Sequence, residues 1–279
     1  MLKIMFSFLM LCISLSSYAQ IELPALSPAV EISQKIGLTT VTLSYSRPSL
    51  RGRDLFGENG ILVLGKKWRT GANATTKIAF NKDIEINGQT LAKGAYAILT
   101  TPRDTSWAFH FYSFENRSYT HFLDKEPLLE ITVPIKQLDY SLETFTLHFE
   151  SITISDAYLV LQWANYKVEV AVKVNEHQAI LANIDKVLKG PSDFSYFQAA
   201  LYLHETQTDL PLALNYIRTV TQSDAALFFQ VYREALILKD LDRKEEAIAA
   251  AKRSKELSQK AGNDDLARLS QQIINELFE

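Results

Sequence analysis

The sequence predicts an α+β protein in two parts: an N-terminal antiparallel β-sandwich, or barrel-like β domain, followed by an all-α helical-repeat tail. Three observations predict it. Up to Val174, short alternating runs of Val, Thr, Phe and Tyr are broken by Gly, Pro, Asn and Asp, which is how strands and turns read. Asn87-Gly88 lies between Ile84-Glu-Ile86 and Gln89-Thr-Leu91, and Asn-Gly accepts the positive φ angles of a two-residue hairpin turn. Beyond Glu176 the apolar period becomes helical, and Asp209–Leu214 aligns with Arg243–Ile248 at an offset of 34 residues, the spacing of tetratricopeptide helix pairs.

The elements follow in order. Lys3, the apolar run Ile4–Leu15, and the small residues Ser17 and Ala19 have the layout of a secretory signal peptide cleaved after Ala19, so residues 1–19 are expected to be removed. The run is shorter than the roughly 20 residues of a membrane span. Cys12 follows the bulky Leu11, which argues against a lipid anchor. The β part, residues 20–175, opens with a strand over Thr39–Tyr45. Lys77–Phe80, the 84–91 hairpin, Tyr96–Thr101 and Trp107–Tyr112 follow, with Lys93-Gly94 and Pro102–Thr105 as the turns. Next come Leu128–Ile135, the alternation Phe145, Leu147, Phe149, and Ala157–Trp163, with a chain reversal expected near Asn165. Tyr166–Val174 alternates most cleanly, with Val168, Val170 and Val172 on one face. Nine or ten short strands at even spacing favour a sandwich or barrel over a parallel α/β sheet. In the tail, residues 176–279, the offset pairs Ala213 with Ala247 and Tyr202 with Leu236. A plain helical bundle is the alternative. Two repeats bury little alone, so the tail is expected to pack on the sandwich or dock a protein partner.

Composition excludes several function classes. The only cysteine leaves with the signal segment, so the mature chain forms no disulfide, and thiol catalysis and cysteine-ligated zinc are excluded. A net charge of −3 argues against a whole-surface attraction to nucleic acid or an anionic membrane, and no later stretch reads as a transmembrane span. The chain is therefore expected to be exported, to the periplasm or beyond, without a cofactor.

The densest unusual chemistry runs from Tyr45 to Thr76. It holds Arg47, Arg51, Arg53, Lys66, Lys67 and Arg69 against Asp54 and Glu58 in the stretch to Thr70. Guanidinium groups on turned loops offer bidentate donors to carboxylate, phosphate or sulfate. Trp68 offers a face to a sugar ring or cation, and Asn73 adds an amide. Arg47, Arg51, Arg53, Trp68, Arg69 and Asn73 are the candidate site for an anionic or carbohydrate ligand. The competing reading is that these arginines brace loops by bonding backbone carbonyls or a buried carboxylate.

Ser27-Pro28 through Gly37, Tyr45-Ser-Arg-Pro48, Arg51-Gly-Arg53 and Trp68-Arg-Thr-Gly-Ala-Asn-Ala-Thr-Thr76 resemble the domain-of-unknown-function family 2911. Gly94-Ala-Tyr96 and Trp107 continue the similarity. The resemblance covers residues 27 to 174 and implies an exported β-rich domain, in some members followed by a helical repeat. It supplies no activity and no catalytic residues.

Other motifs are incomplete. Gly60–Lys66 matches the first seven positions of a P-loop, but Lys67 stands where Ser or Thr would touch magnesium. His204-Glu205 begins a zinc-protease motif whose second histidine is Thr208. His110, His121 and Asp124 lack ligand spacing, so no metal is expected. Asn73-Ala-Thr75 and Asn116-Arg-Ser118 fit the glycosylation triplet and are read as coincidence. The leading expectation is thus a non-enzymatic binding protein. A cell-envelope hydrolase using the same cleft and a structural adaptor are the alternatives.

Overall fold

The computed structural model describes residues 23–187 and 192–278; the expected signal peptide, residues 1–19, lies outside them. The β part contains ten strands: β1 (Ala29–Ile36), β2 (Thr39–Ser46), β3 (Thr76–Phe80), β4 (Ile84–Ile86), β5 (Gln89–Leu91), β6 (Gly94–Pro102), β7 (Ser106–Ser113), β8 (Leu129–Pro134), β9 (Lys136–Glu150) and β10 (Asp156–Val174). They form a six-stranded sheet, β1-β2-β3-β6-β7-β8, and a four-stranded sheet, β5-β4-β10-β9. All pairings are antiparallel, and the two sheets are not closed into a barrel.

Alternation explains what lies between the sheets. Val41, Leu43 and Tyr45 point inward from β2, while Thr40, Thr42 and Ser44 face out. Trp107, Phe109 and Phe111 do the same from β7, opposite Phe145, Leu147, Leu161 and Trp163 of the smaller sheet. Each such side chain contributes about 1.5–3 kcal/mol on burial. The 84–91 hairpin forms as expected, with Asn87 at φ +50° and Gly88 at +82°.

Two expectations need correction. The β part opens with β1 rather than with β2: Val30, Ile32 and Ile36 lie at alternate positions along it, and it pairs antiparallel with β2. The reversal expected near Asn165 is instead the middle of one 19-residue strand, β10. Its inward residues are Leu159, Leu161 and Trp163 before the bulges beside Ala164, and Val168, Val170 and Val172 after them. The bulge moves the apolar set from odd to even positions, and in sequence that phase change looks like two strands.

Six helices follow among the described residues: α1 (His177–Val187), α2 (Asp193–Glu205), α3 (Leu210–Thr221), α4 (Phe228–Asp240), α5 (Lys244–Lys260) and α6 (Asp264–Phe278). From α2 onward each packs on the next in sequence. Asp209 caps α3 by accepting from the Leu212 N–H at 3.0 Å, and Pro211 sits in the first turn, where its missing N–H costs nothing. Ala213 and Ala247 are fully buried in the helical core, so their helices approach closely.

The two parts meet at Glu176. Its carboxylate accepts from the Leu38 N–H at 2.6 Å, from the Thr39 hydroxyl at 3.1 Å and from Lys82. Gly37, at φ +57°, is required here: a Cβ would lie 2.5 Å from Glu176 Oε2.

Candidate functional site

The segment joining β2 to β3 turns repeatedly, at φ +54° for Arg51, +57° for Thr70 and +59° for Asn73, and a loop of that shape leaves main-chain carbonyls without a ladder. Arg53 and Arg69 answer carbonyls of the loop itself, while Arg47 and Arg51 reach segments packed against it. Arg47 donates from Nε to the Phe145 carbonyl at 3.1 Å and from Nη2 to Thr146 Oγ1 at 2.7 Å. Arg51 donates to the Leu26 carbonyl at 2.6 Å, and Arg53 to the Leu50 and Ser49 carbonyls at 2.9 and 3.1 Å. Arg69 reaches the Asn73 carbonyl at 3.1 Å and lies 4.3 Å from the centroid of the Tyr119 ring. Asn73 Nδ2 donates to the Ser27 carbonyl and to Ser46 Oγ. Trp68 stacks on Trp163 at 5.6 Å and meets Phe145 edge-on at 5.0 Å. The six candidate residues therefore do not converge. Arg47, Arg51 and Trp68 tie the loop to the sandwich, Arg53 borders one cleft, and Arg69 and Asn73 support the rim of a different groove.

That groove, of about 550 Å³, lies on the outer face of the six-stranded sheet. Its floor follows from the strand register: Glu31 of β1, Ser44 of β2 and Lys77 of β3 are neighbours across the ladder and face outward. Ala74 and Thr75 close one side, and Phe114 and Arg117 of the segment after β7 form the facing wall. The Arg117 carbonyl accepts from the Thr75 N–H at 2.8 Å and the Thr75 hydroxyl at 2.9 Å, which fixes this wall to the Trp68–Thr76 loop. Farther along, the same segment is held down by Phe122, which is fully buried beside Tyr112.

Two cations reach the groove uncommitted. Lys77 Nζ lies 5.2 Å from the Phe114 ring centroid, and neither Lys77 nor Arg117 makes an ion pair among the described residues. Glu31 is the one acid in the lining, and it accepts from Ser44 at 3.0 Å. An apolar wall beside these two cations suits an anion carrying an apolar body. Sequence reasoning passed over both cations. Lys77 interrupts the outward face of β3 among small residues, and Arg117 is the middle of the triplet read only for glycosylation. These were the available signals.

One side-chain trio has the sequence of contacts found in hydrolases. Thr101 Oγ1 lies 2.9 Å from His110 Nε2, and His110 Nδ1 lies 3.2 Å from Glu130 Oε2. Burial, outweighing the pull of Glu130, pushes His110 below the ordinary histidine value. Thr101 and His110 are only 6% and 5% exposed, which leaves a substrate little access to the hydroxyl. His121 belongs to a separate surface pair with Glu115. Among the described residues no three His, Cys, Asp or Glu side chains are grouped to hold a metal. His204 ties α2 to α4 through Asp240 at 3.0 Å and Arg233 at 2.8 Å. No helix among the described residues is long and apolar enough to cross a membrane.

No curated protein and no solved structure matches the chain. A match to the family described as "Protein of unknown function (DUF2911)" extends over residues 27–172, from just before β1 nearly to the end of β10 and so through the whole groove, and the chain belongs to that family.

Proposed function

We propose that this is an exported, non-enzymatic binding protein whose groove between Lys77 and Arg117 takes a small organic anion, a carboxylate or phosphate ester with an apolar body. The observation that carries this reading is a pair of cations without ion pairs among the described residues, set in a groove of about 550 Å³ with an apolar aromatic wall. That volume falls in the range of small-molecule sites, about 300–1,000 Å³. Export rests on residues 1–19, with cleavage after Ala19. Titration calorimetry with benzoate, phenylacetate and phenyl phosphate at low salt tests the groove. Binding should weaken roughly tenfold in Arg117→Ala and in Lys77→Ala, and weaken with added salt. Binding of none of the three, or binding indifferent to both substitutions, would overturn it.

The tail is proposed to be tetratricopeptide-like and to dock a protein partner. α2 and α4 begin 35 residues apart and α3 and α5 begin 34 apart, with Ala213 and Ala247 buried at equivalent places. Photo-crosslinkers on the exposed sides of α2 and α4 should yield partner adducts in cells, whereas adducts confined to the β part would contradict this.

The trio Thr101–His110–Glu130 favours a second reading, an envelope hydrolase. Turnover of activated esters that disappears in His110→Gln and Thr101→Val would support it; no turnover removes it.

A further inference from the structure

A second cleft, of about 510 Å³, is built on a different principle from the groove. Four residues of β9, 138 to 141, face the single residue Asn165 of β10 across the ladder. Within this irregular stretch Asp139, Tyr140 and Ser141 are all exposed. Just before this point Ala164 takes φ +50°, a left-handed conformation that strains any residue with a Cβ. Bulges of this kind re-aim side chains and recur beside functional sites.

The opposite wall is the start of the loop after Arg51. The Arg53 guanidinium is fixed by two backbone carbonyls through Nε and Nη2, which leaves Nη1 free to donate. Asp54 lies beside it. Phe56 stands edge-on to Tyr166 at 5.1 Å, holding that ring in place at the cleft. Tyr140 is 54% exposed. Among the described residues the side chains of Asp54, Asp139, Tyr140 and Asn165 make no hydrogen bond, although all four line the cleft.

Carboxylates accept from sugar hydroxyls, and an amide and a guanidinium donate to them. A tyrosine face packs on the C–H side of a pyranose ring. Two carboxylates and one guanidinium give the cleft a net charge of −1, which disfavours acidic sugars. We propose that this cleft binds a short neutral glycan, with Tyr140 as the stacking face and Asp54, Asp139, Asn165 and Arg53 as hydroxyl partners. The site is independent of the anion groove.

The test is calorimetric titration of the full chain with maltose, cellobiose and N,N′-diacetylchitobiose up to about 10 mM. At least one neutral disaccharide should bind. Its affinity should fall roughly tenfold or more in Tyr140→Ala and in Asp139→Ala, and persist in Tyr140→Phe, which keeps the ring. It should be unchanged in Arg117→Ala and insensitive to salt. Circular-dichroism melting checks that the exposed substitutions leave the fold intact. No neutral disaccharide binding at that concentration, binding indifferent to Tyr140 and Asp139, or loss in Arg117→Ala would each overturn the proposal.

Discussion

The loop between β2 and β3 and the wall at Phe114–Arg117 both carry cations on the β part, yet they use them in opposite ways. In the loop, Arg47, Arg51, Arg53 and Arg69 all donate to main-chain carbonyls of the protein itself. On the wall, Arg117 offers its carbonyl to Thr75 and keeps its guanidinium out of any ion pair among the described residues. A dense basic motif marks a backbone in need of donors as readily as it marks a ligand. The cations left for a ligand are those the fold does not use.

Trp68→Ala breaks or sharpens this contrast most strongly. If Trp68 is structural, removing it from between Phe145 and Trp163 should lower the stability by about 3 kcal/mol, read from the urea midpoint. An indole serving mainly as a ligand platform would leave the midpoint nearly unchanged. Arg47→Met comes next. It deprives the Phe145 carbonyl and Thr146 of their donor and should cost about 1–3 kcal/mol, with anion binding at the groove preserved in the folded protein.

The junction extends the comparison to a carboxylate. Burial would raise the Glu176 pKa, but Lys82, the Leu38 N–H and Thr39 together hold it below the ordinary value. The lowered value in the folded state means that Glu176 adds stability above the usual carboxylate range, and that this is lost as pH falls through its folded value. The gap in urea midpoint between the wild type and Glu176→Gln should therefore narrow on going from about pH 7 to about pH 3. A gap constant with pH would show that its charge is immaterial. The smallest effect on stability belongs to Lys77→Ala and Arg117→Ala, each expected within about 0.5 kcal/mol of the wild type even as anion affinity falls.

Local signals were legible in the sequence, and long-range ones were not. Asn87-Gly88 declared its hairpin because two residues suffice to set a turn, and the 34-residue offset found Ala213 and Ala247. The bulge beside Ala164 was misread because a change of apolar phase has the same appearance whether the chain turns back or slips by one residue. The arginines were legible, but the use of Arg47 was not, since the Phe145 carbonyl and Thr146 hydroxyl it meets lie about a hundred residues downstream. Arg117 and Lys77 come together only through the register of the sheet and the segment folded across it.

That separation along the chain has a kinetic consequence. Tyr45 bonds at Leu147, Leu50 at Glu143, and β4 pairs with the last residues of β10. Contacts this distant cannot form until most of the β part exists, and their closure entropy slows folding. The helices pair with near neighbours and need no such wait. During synthesis the β part should remain open until about residue 174 has emerged and then close in one late step, while each helical hairpin assembles as soon as its second helix appears. Pulse-labelling hydrogen exchange during refolding should find α4–α6 protected before β2 and β9.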